Sequence, residues 1–351
     1  MKHAFANRIT LSALVVFGIL ACVRHAQATD LSGTISSTVT IFDDSRLVGD
    51  VTCAVPVVQT GANPCIAFGT DHIKLRLNGH TITGPVNPPT GCSLPTDSMF
   101  GVGIESNGRN DVSIEGPGVI QKFQRWGIFL FSSTHVTVKK VTANRNCWSG
   151  VQSGRTSNSN FEEDTFVNNA AGSNGAPCGG ICFANSNNNL ARKSKFYGNG
   201  SVDYPSGNVD FGIGFEGTSS GNRVTENDIA GNANGVLFLD SSSDNSVDHN
   251  IIAGNPAAQV LKTFVASNQK GADIAFPSDF TGVNNMVEDN FCLTYIGPGM
   301  PPCPNILAKG KEDDEARVRL KGGEQTSSTK TAELRVQIVS ALLLLATIAR
   351  L

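Results

Sequence analysis

Three acidic residues and one basic, aromatic stretch are the parts of this 351-residue sequence suited to chemistry. Glu216 and Asp240 follow one another in the chain, and Asp210 lies shortly before Glu216. Two carboxyls held about 5–9.5 Å apart can cleave a glycosidic bond, one as acid and the other as base or nucleophile. Lys122, Arg125, Lys139, Lys140 and Arg145 form the basic stretch, beside Trp126, Phe129, Phe131 and Trp148. Cationic side chains next to flat rings can hold an acidic polysaccharide through charge and stacking. Each group also has a plain reading, as strand-end carboxylates and as a solvated surface.

What positions these residues is a repeat. NRVTENDIAGN (Asn222 to Asn232) and NSVDHNIIAGN (Asn245 to Asn255) agree in register, position by position. A Gly-apolar-x-apolar phrase precedes each copy, and it recurs at Gly103, Gly127, Gly150, Gly180, Gly212 and Gly235. The intervals are nearly equal, except for longer ones from Gly150 to Gly180 and from Gly180 to Gly212. Weaker copies start at Cys65 and Asp273. A period of this size means a solenoid. No leucine ladder is present, and the apolar residues alternate instead of following a helical period. The chain is therefore expected to be all-β, a parallel β-helix of roughly 22–24 residues per coil. Ile213, Phe215, Val236 and Phe238 should point inward, as should Val224, Ile229, Val247 and Ile252. Asn227 and Asn250, at matched positions, should bond the backbone of neighbouring coils.

This frame sorts the reactive residues. Coils stack at about 4.8 Å, so Glu105 and Glu216, four coils apart, cannot pair. Glu216 and Asp240 fall on adjacent coils, with Asp210 in the preceding loop. Trp126 and Trp148 are one coil apart, a spacing that would stack them. The outward row runs through Glu105, Phe129, Gln152, Cys182, Gly214 and Leu237. A second runs through Asn107, Phe131, Gly154, Ala184, Glu216 and Leu239. Phe129 and Phe131 could meet sugar rings or pack under the preceding loop. Extra residues at 84–102, 169–179, 199–211 and 255–273 all precede a strand of one sheet. They read as a binding edge or as drift in tolerant turns. His80, His135 and His249 share no phase, and no C-x-x-C pair suggests zinc, so no metal is expected.

Charged residues make up 16% of the chain and the net charge is −3, which argues against nucleic acid as a partner. A basic start, an apolar run from Ile9 to Ala21 and Ala26-Gln27-Ala28 read as a signal peptide over residues 1–28. Lipidation at Cys22, in Ile19-Leu20-Ala21-Cys22, is the rival. The expected address is secreted, periplasmic or cell-surface. Eight cysteines beyond Cys22 then suggest disulfides. Cys53 and Cys65 enclose one loop, and Cys292 and Cys303 another. Cys147 and Cys178 precede strand-opening glycines on consecutive coils, and Cys92 and Cys182 remain. The solenoid should occupy 29–305, followed by a polar linker (306–335) and an apolar segment (336–351). That last segment suits docking or weak membrane association better than a span.

The phrase LNGHTITG (Leu77 to Gly84) and the N-x-V-x-x-N-x-I-x-x-N repeat resemble the right-handed parallel β-helix proteins of the pectin-lyase-like superfamily, of the bacterial exported type. The resemblance covers roughly Val39 to Cys303. It implies a right-handed solenoid. The superfamily holds polysaccharide lyases, glycosidases, epimerases and accessory proteins. The Asn-Thr-Asp, Gly-His-Gly and Arg-Ile-Lys phrases of its polygalacturonases are missing, as is the Asp-Pro-His-Asp phrase of its alginate epimerases. The calcium-binding Asp cluster of its pectate lyases is not matched, so no cofactor is expected and calcium is unsupported. The expected function is polysaccharide binding or a structural surface role. The alternative is a lyase or glycoside hydrolase with a non-standard site near Glu216 and Asp240, or near Lys140 and Arg145.

Overall fold

The computed structural model describes residues 28–56, 63–88, 92, 101–170, 179–200, 210–255 and 272–297. The expected signal segment up to residue 27, Cys178, Cys303, the expected linker and the apolar segment 336–351 lie outside them. The first strand, Thr29–Ile35, begins directly after the expected cleavage site. All regular elements among the described residues are strands, paired in parallel in a sixteen-stranded and a ten-stranded sheet. No helix among them is long and apolar enough to cross a membrane.

Like residues stack on like residues, as the repeat requires. In the ten-stranded sheet one inward row is Ile104, Ile128, Val151, Ile181, Ile213 and Val236. The next inward row carries Phe183, Phe215, Phe238 and Phe276, whose ring centroids follow at 5.8, 4.9 and 4.3 Å. In the sixteen-stranded sheet Val138, Phe161, Ala191, Val224 and Val247 align, and Ile229 pairs with Ile252. All of these side chains are buried. Each large one contributes about 1.5–3 kcal/mol relative to exposure. The chain between partners in that row is longer from Ala191 to Val224 than from Val138 to Phe161. The strands hold their register, and the corners absorb the extra residues.

The glycine that opens each repeat has a steric cause. A Cβ on Gly180 would meet Gly212 O at 2.6 Å, and one on Gly212 would meet Gly235 O at 2.8 Å. Successive coils approach too closely there for any other residue. The corners have a second requirement. Lys140, Glu163, Lys193, Glu226 and His249 each take positive φ, between 53 and 57°. At the last four of these corners the left-handed residue is followed by a buried polar one (Asp164, Ser194, Asn227 and Asn250), and such residues form ladders. Ser194 N donates to Asn227 Oδ1 at 2.9 Å, and Asn227 N and Nδ2 both donate to Asn250 Oδ1 at 2.9 Å. Asn250 repeats the pattern toward Asn290. A parallel ladder runs from Asn146 through Asn169, Asn199, Asn232 and Asn255. It ends at Asp273, whose carboxylate accepts from Asn255 N, Asn255 Nδ2, Leu293 N and Thr294 N. These bonds satisfy backbone groups that a dry solenoid interior would otherwise leave unpaired.

Candidate functional site

The basic, aromatic stretch divides into a buried staple and a neutralised surface. Ser149, not Trp148, is the register partner of Trp126. The two indoles are therefore offset by one residue and meet edge to face, at 6.2 Å and 83°, instead of stacking as their spacing suggested. Both are buried. The Arg125 guanidinium lies 4.5 Å from the Trp126 ring and 3.9 Å from that of Trp148. Val86 and Cys92, from the insertion after Gly84, pack on this cluster. These indoles are core for that insertion and present no open ring face. Lys139 pairs with Glu162 at 3.1 Å, and Lys140 with Glu163 at 3.4 Å, on the next coil. Arg145 is exposed at a left-handed corner and makes no ion pair among the described residues. Lys140 and Arg145 thus share no site with an acidic partner residue.

The acid cluster is reduced to two members. Asp210 sits at the opposite end of the strand Phe211–Glu216, about 20 Å from Glu216. Its carbonyl accepts from Asn234 N. Glu216 and Asp240 do meet across adjacent coils. Asp240 is exposed, and its Oδ2 accepts from Gly217 N at 2.8 Å. Glu216 has one carboxyl oxygen, Oε1, buried with no hydrogen-bond partner. Burial pushes its pKa up to about 7; the charge of Asp240 adds to the rise and a hydrogen bond with Cys182 opposes it. A carboxyl that burial holds to its proton, next to a second carboxyl, is an arrangement that proton-transfer chemistry uses.

The open part of the outer face lies nearer the N-terminus. A cleft of about 330 Å³ is lined by Thr40, Phe42, Ala67, Phe68, Gly69, Glu105, Asn107 and Arg109. The Phe42 ring is 68% exposed, and it lies over the Cβ position of Gly69, which only a glycine leaves free. Arg109 Nε donates to Phe68 O at 3.1 Å, which fixes the guanidinium at the cleft wall. Burial raises the pKa of Glu105, against a hydrogen bond with Asn107. In register on the next coil stand Phe129 beside Glu105 and Phe131 beside Asn107. Both are half-buried: Phe129 stacks on Trp126 at 4.3 Å, and Arg155 caps Phe131 at 5.5 Å. Glu105 and Phe129 were legible as outward residues. Phe42 was missed because no Gly-apolar-x-apolar phrase marks its coil, and Arg109 because it follows the outward positions of the Gly103 strand, in the turn after Asn107.

The cysteines depart from the expected scheme. Cys147 is bridged to Cys92, not to Cys178. It turns toward the insertion lying over Trp148, and that insertion carries Cys92. Cys182 accordingly has no bridge to Cys92; it is buried on the outer side of the ten-stranded sheet, where Gln152 Nε2 approaches its sulfur at 3.4 Å. Cys53 and Cys65 stand as two buried thiols in hydrogen-bond contact and not as a disulfide. Cys292 is disulfide-bonded; its expected partner Cys303 lies outside the described residues. The histidines sit apart, His80 near Asp50, His135 on Asn110 and His249 on Asp248. Among the described residues no group of three His, Cys, Asp or Glu side chains is placed to hold a metal ion.

Comparison with solved structures returns proteins of low sequence identity. The Dettilon tailspike protein aligns at 14% identity over 82% of this chain and 60% of its own, with a TM-score of 0.49. The enzymatically active domain of tailspike protein 2 from bacteriophage CBA120 aligns at 14% identity over 83% and 41%, with a TM-score of 0.47. A periplasmic alginate epimerase aligns at 12% identity over 77% and 61%, with a TM-score of 0.46. The chain thus spans less than two thirds of each. No curated protein matches it by sequence. Residues 101–285 match the family model of the right-handed β-helix region, a range that covers the six glycine phrases and the ladder from Asn146 to Asp273. The chain belongs to the right-handed β-helix family.

Proposed function

We propose that this protein binds a polysaccharide on the outer face of its ten-stranded sheet, at the cleft between Phe42 and Phe131. The observation that carries this reading is the combination in one open cleft of an exposed ring, Phe42, with Glu105, Asn107 and a fixed Arg109. A sugar offers apolar ring faces to an aromatic and hydroxyls to such polar groups. The rigid solenoid holds these groups without an ordering cost at binding. The Cys92–Cys147 bridge suits an oxidising compartment, which supports an exported protein and with it the same reading. The test is a glycan panel of neutral and uronic acid polysaccharides, followed by titration of the hits. Glu105→Gln is expected to alter the pH dependence of binding, and Phe42→Ala to weaken it at every pH.

A second reading is favoured by one observation, the proton-retaining carboxyl of Glu216 next to the carboxyl of Asp240 on the adjacent coil. In that reading Glu216 protonates a glycosidic oxygen and Asp240 serves as base or nucleophile. New reducing ends or unsaturated products that vanish in Glu216→Gln would support cleavage. Binding without products would rule it out for the glycans bound.

A further inference from the structure

We infer that Cys53 and Cys65 are a second disulfide site, which closes the insertion at the first corner between the two sheets. The argument is one of register. Ile35 pairs with Cys53 in the sixteen-stranded sheet, and Val39 pairs with Ile66 in the ten-stranded sheet. Thr38 therefore lies under Cys65, and Thr38 Oγ1 donates to Pro64 O at 2.7 Å across the same step. The first coil turns this corner between Ile35 and Thr38, three residues apart. The second coil turns it between Cys53 and Cys65, with eleven residues, 54 to 64, between them where the first coil has two. Ile35 and Thr38 flank a bend at Ser37, and Cys53 and Cys65 are separated by the same short step one coil later. A disulfide needs about 4.4–6.8 Å.

The surroundings agree with the register. Cys53 is 3% exposed and Cys65 is fully buried, both within the main core cluster. Ala54 N donates to Ile35 O at 2.7 Å, so the insertion leaves only after the corner is set. The two sulfurs already share a hydrogen bond, which lowers the pKa of the Cys53 thiol and raises that of Cys65. Before the corner packs either thiol can attack first, and the step is the same whichever does; with Cys53 first it runs as an ordinary thiol–disulfide exchange. Cys53 displaces one sulfur of a disulfide oxidant, such as oxidised glutathione, and forms a mixed disulfide. Cys65, losing its proton to water, then displaces the second sulfur. Two thiols become one S–S bond, and the oxidant leaves as two thiols. Because both residues are buried in the folded chain, the exchange belongs to folding, before the corner packs. The bridge would tie the strand Asn63–Phe68, whose end lines the glycan cleft, to the strand Ser45–Cys53.

The full chain, reduced and unfolded, is refolded in glutathione redox buffers until Cys92 and Cys147 are bridged. It is then denatured, alkylated without reduction and digested for mass spectrometry. The expected result is a joined Cys53 and Cys65 peptide pair, lighter by two hydrogens than the two thiol peptides. Alkylation of both residues while Cys92–Cys147 is bridged overturns the inference, and so does a bridge from Cys53 to any other cysteine. In Cys53→Ser, Cys65 is expected to be fully alkylated, and a bridge retained at Cys65 also overturns it. These readouts are covalent and hold whether or not the variant reaches the native fold. They are also independent of any glycan.

Discussion

Two buried carboxyls show how the solenoid acts on single residues. Glu216 keeps its proton in the folded chain up to about pH 7, whereas an unfolded glutamate loses it near 4.5. The folded state therefore holds more protons between these values, and stability falls as pH rises through that window. Glu216→Gln is expected to raise Tm by about 2–4 °C at about pH 8 and to leave it unchanged near pH 5. Thermal melts at the two pH values check this. Asp164 is the other case. It occupies a ladder position and is buried, with Oδ1 accepting from Val141 N and Oδ2 unpartnered. Burial pushes its pKa well above the usual carboxylate range. An asparagine at such a position turns its Nδ2 to a carbonyl of a preceding coil, as Asn189 does to Thr156 O. Asp164→Asn is therefore expected to stabilise the fold by about 1 kcal/mol at pH 7, with the gain shrinking in acid. Denaturant titration at both ends of the range measures it. Neither environment was legible in the sequence, because burial at a strand end depends on the loops that follow.

At the scale of elements, the repeated phrases have separate tasks. The glycine admits the next coil, the alternating residues fill the core, and the asparagine carries the corner. Asn227 accepts from Ser194 N and donates to Ala191 O and Asn250 Oδ1. Asn227→Ala would strand these groups in a dry interior and is expected to cost about 2–4 kcal/mol. Gly180→Ala would press a methyl on Gly212 O and the Phe196 ring, at an expected cost of about 1–3 kcal/mol. Chemical denaturation of both variants tests the two roles. These elements were readable because their spacing is periodic. The left-handed corners were not, since Lys140, Glu163 and Lys193 are ordinary surface residues in sequence. Nor was the offset of Trp126 and Trp148, which depends on one residue of register. The Cys92–Cys147 bridge escaped for a similar reason: Cys92 lies in an insertion that follows no repeat.

For the molecule as a whole, the repeat is scaffold and function falls where the repeat is broken or unfinished. The sixteen-stranded sheet turns outward an ion-paired face, as in Lys139 with Glu162 and Arg223 with Asp248. The outer face of the ten-stranded sheet is different. It is covered beside Trp126 and Phe211 and open between Phe42 and Phe131. Of the basic stretch that drew attention in the sequence, Lys139 and Lys140 are spent on pairing and Arg125 on the buried staple. The cleft was visible only once the first coils were laid beside the third. The direct comparison is calorimetric titration of wild type, Phe42→Ala and Lys140→Ala with the glycan that binds best in a panel. Phe42→Ala is expected to weaken binding at least about tenfold, in keeping with loss of a stacked ring, while Lys140→Ala binds as wild type. Wild-type affinity in Phe42→Ala with loss in Lys140→Ala, or no binding to any glycan in the panel, would contradict the account.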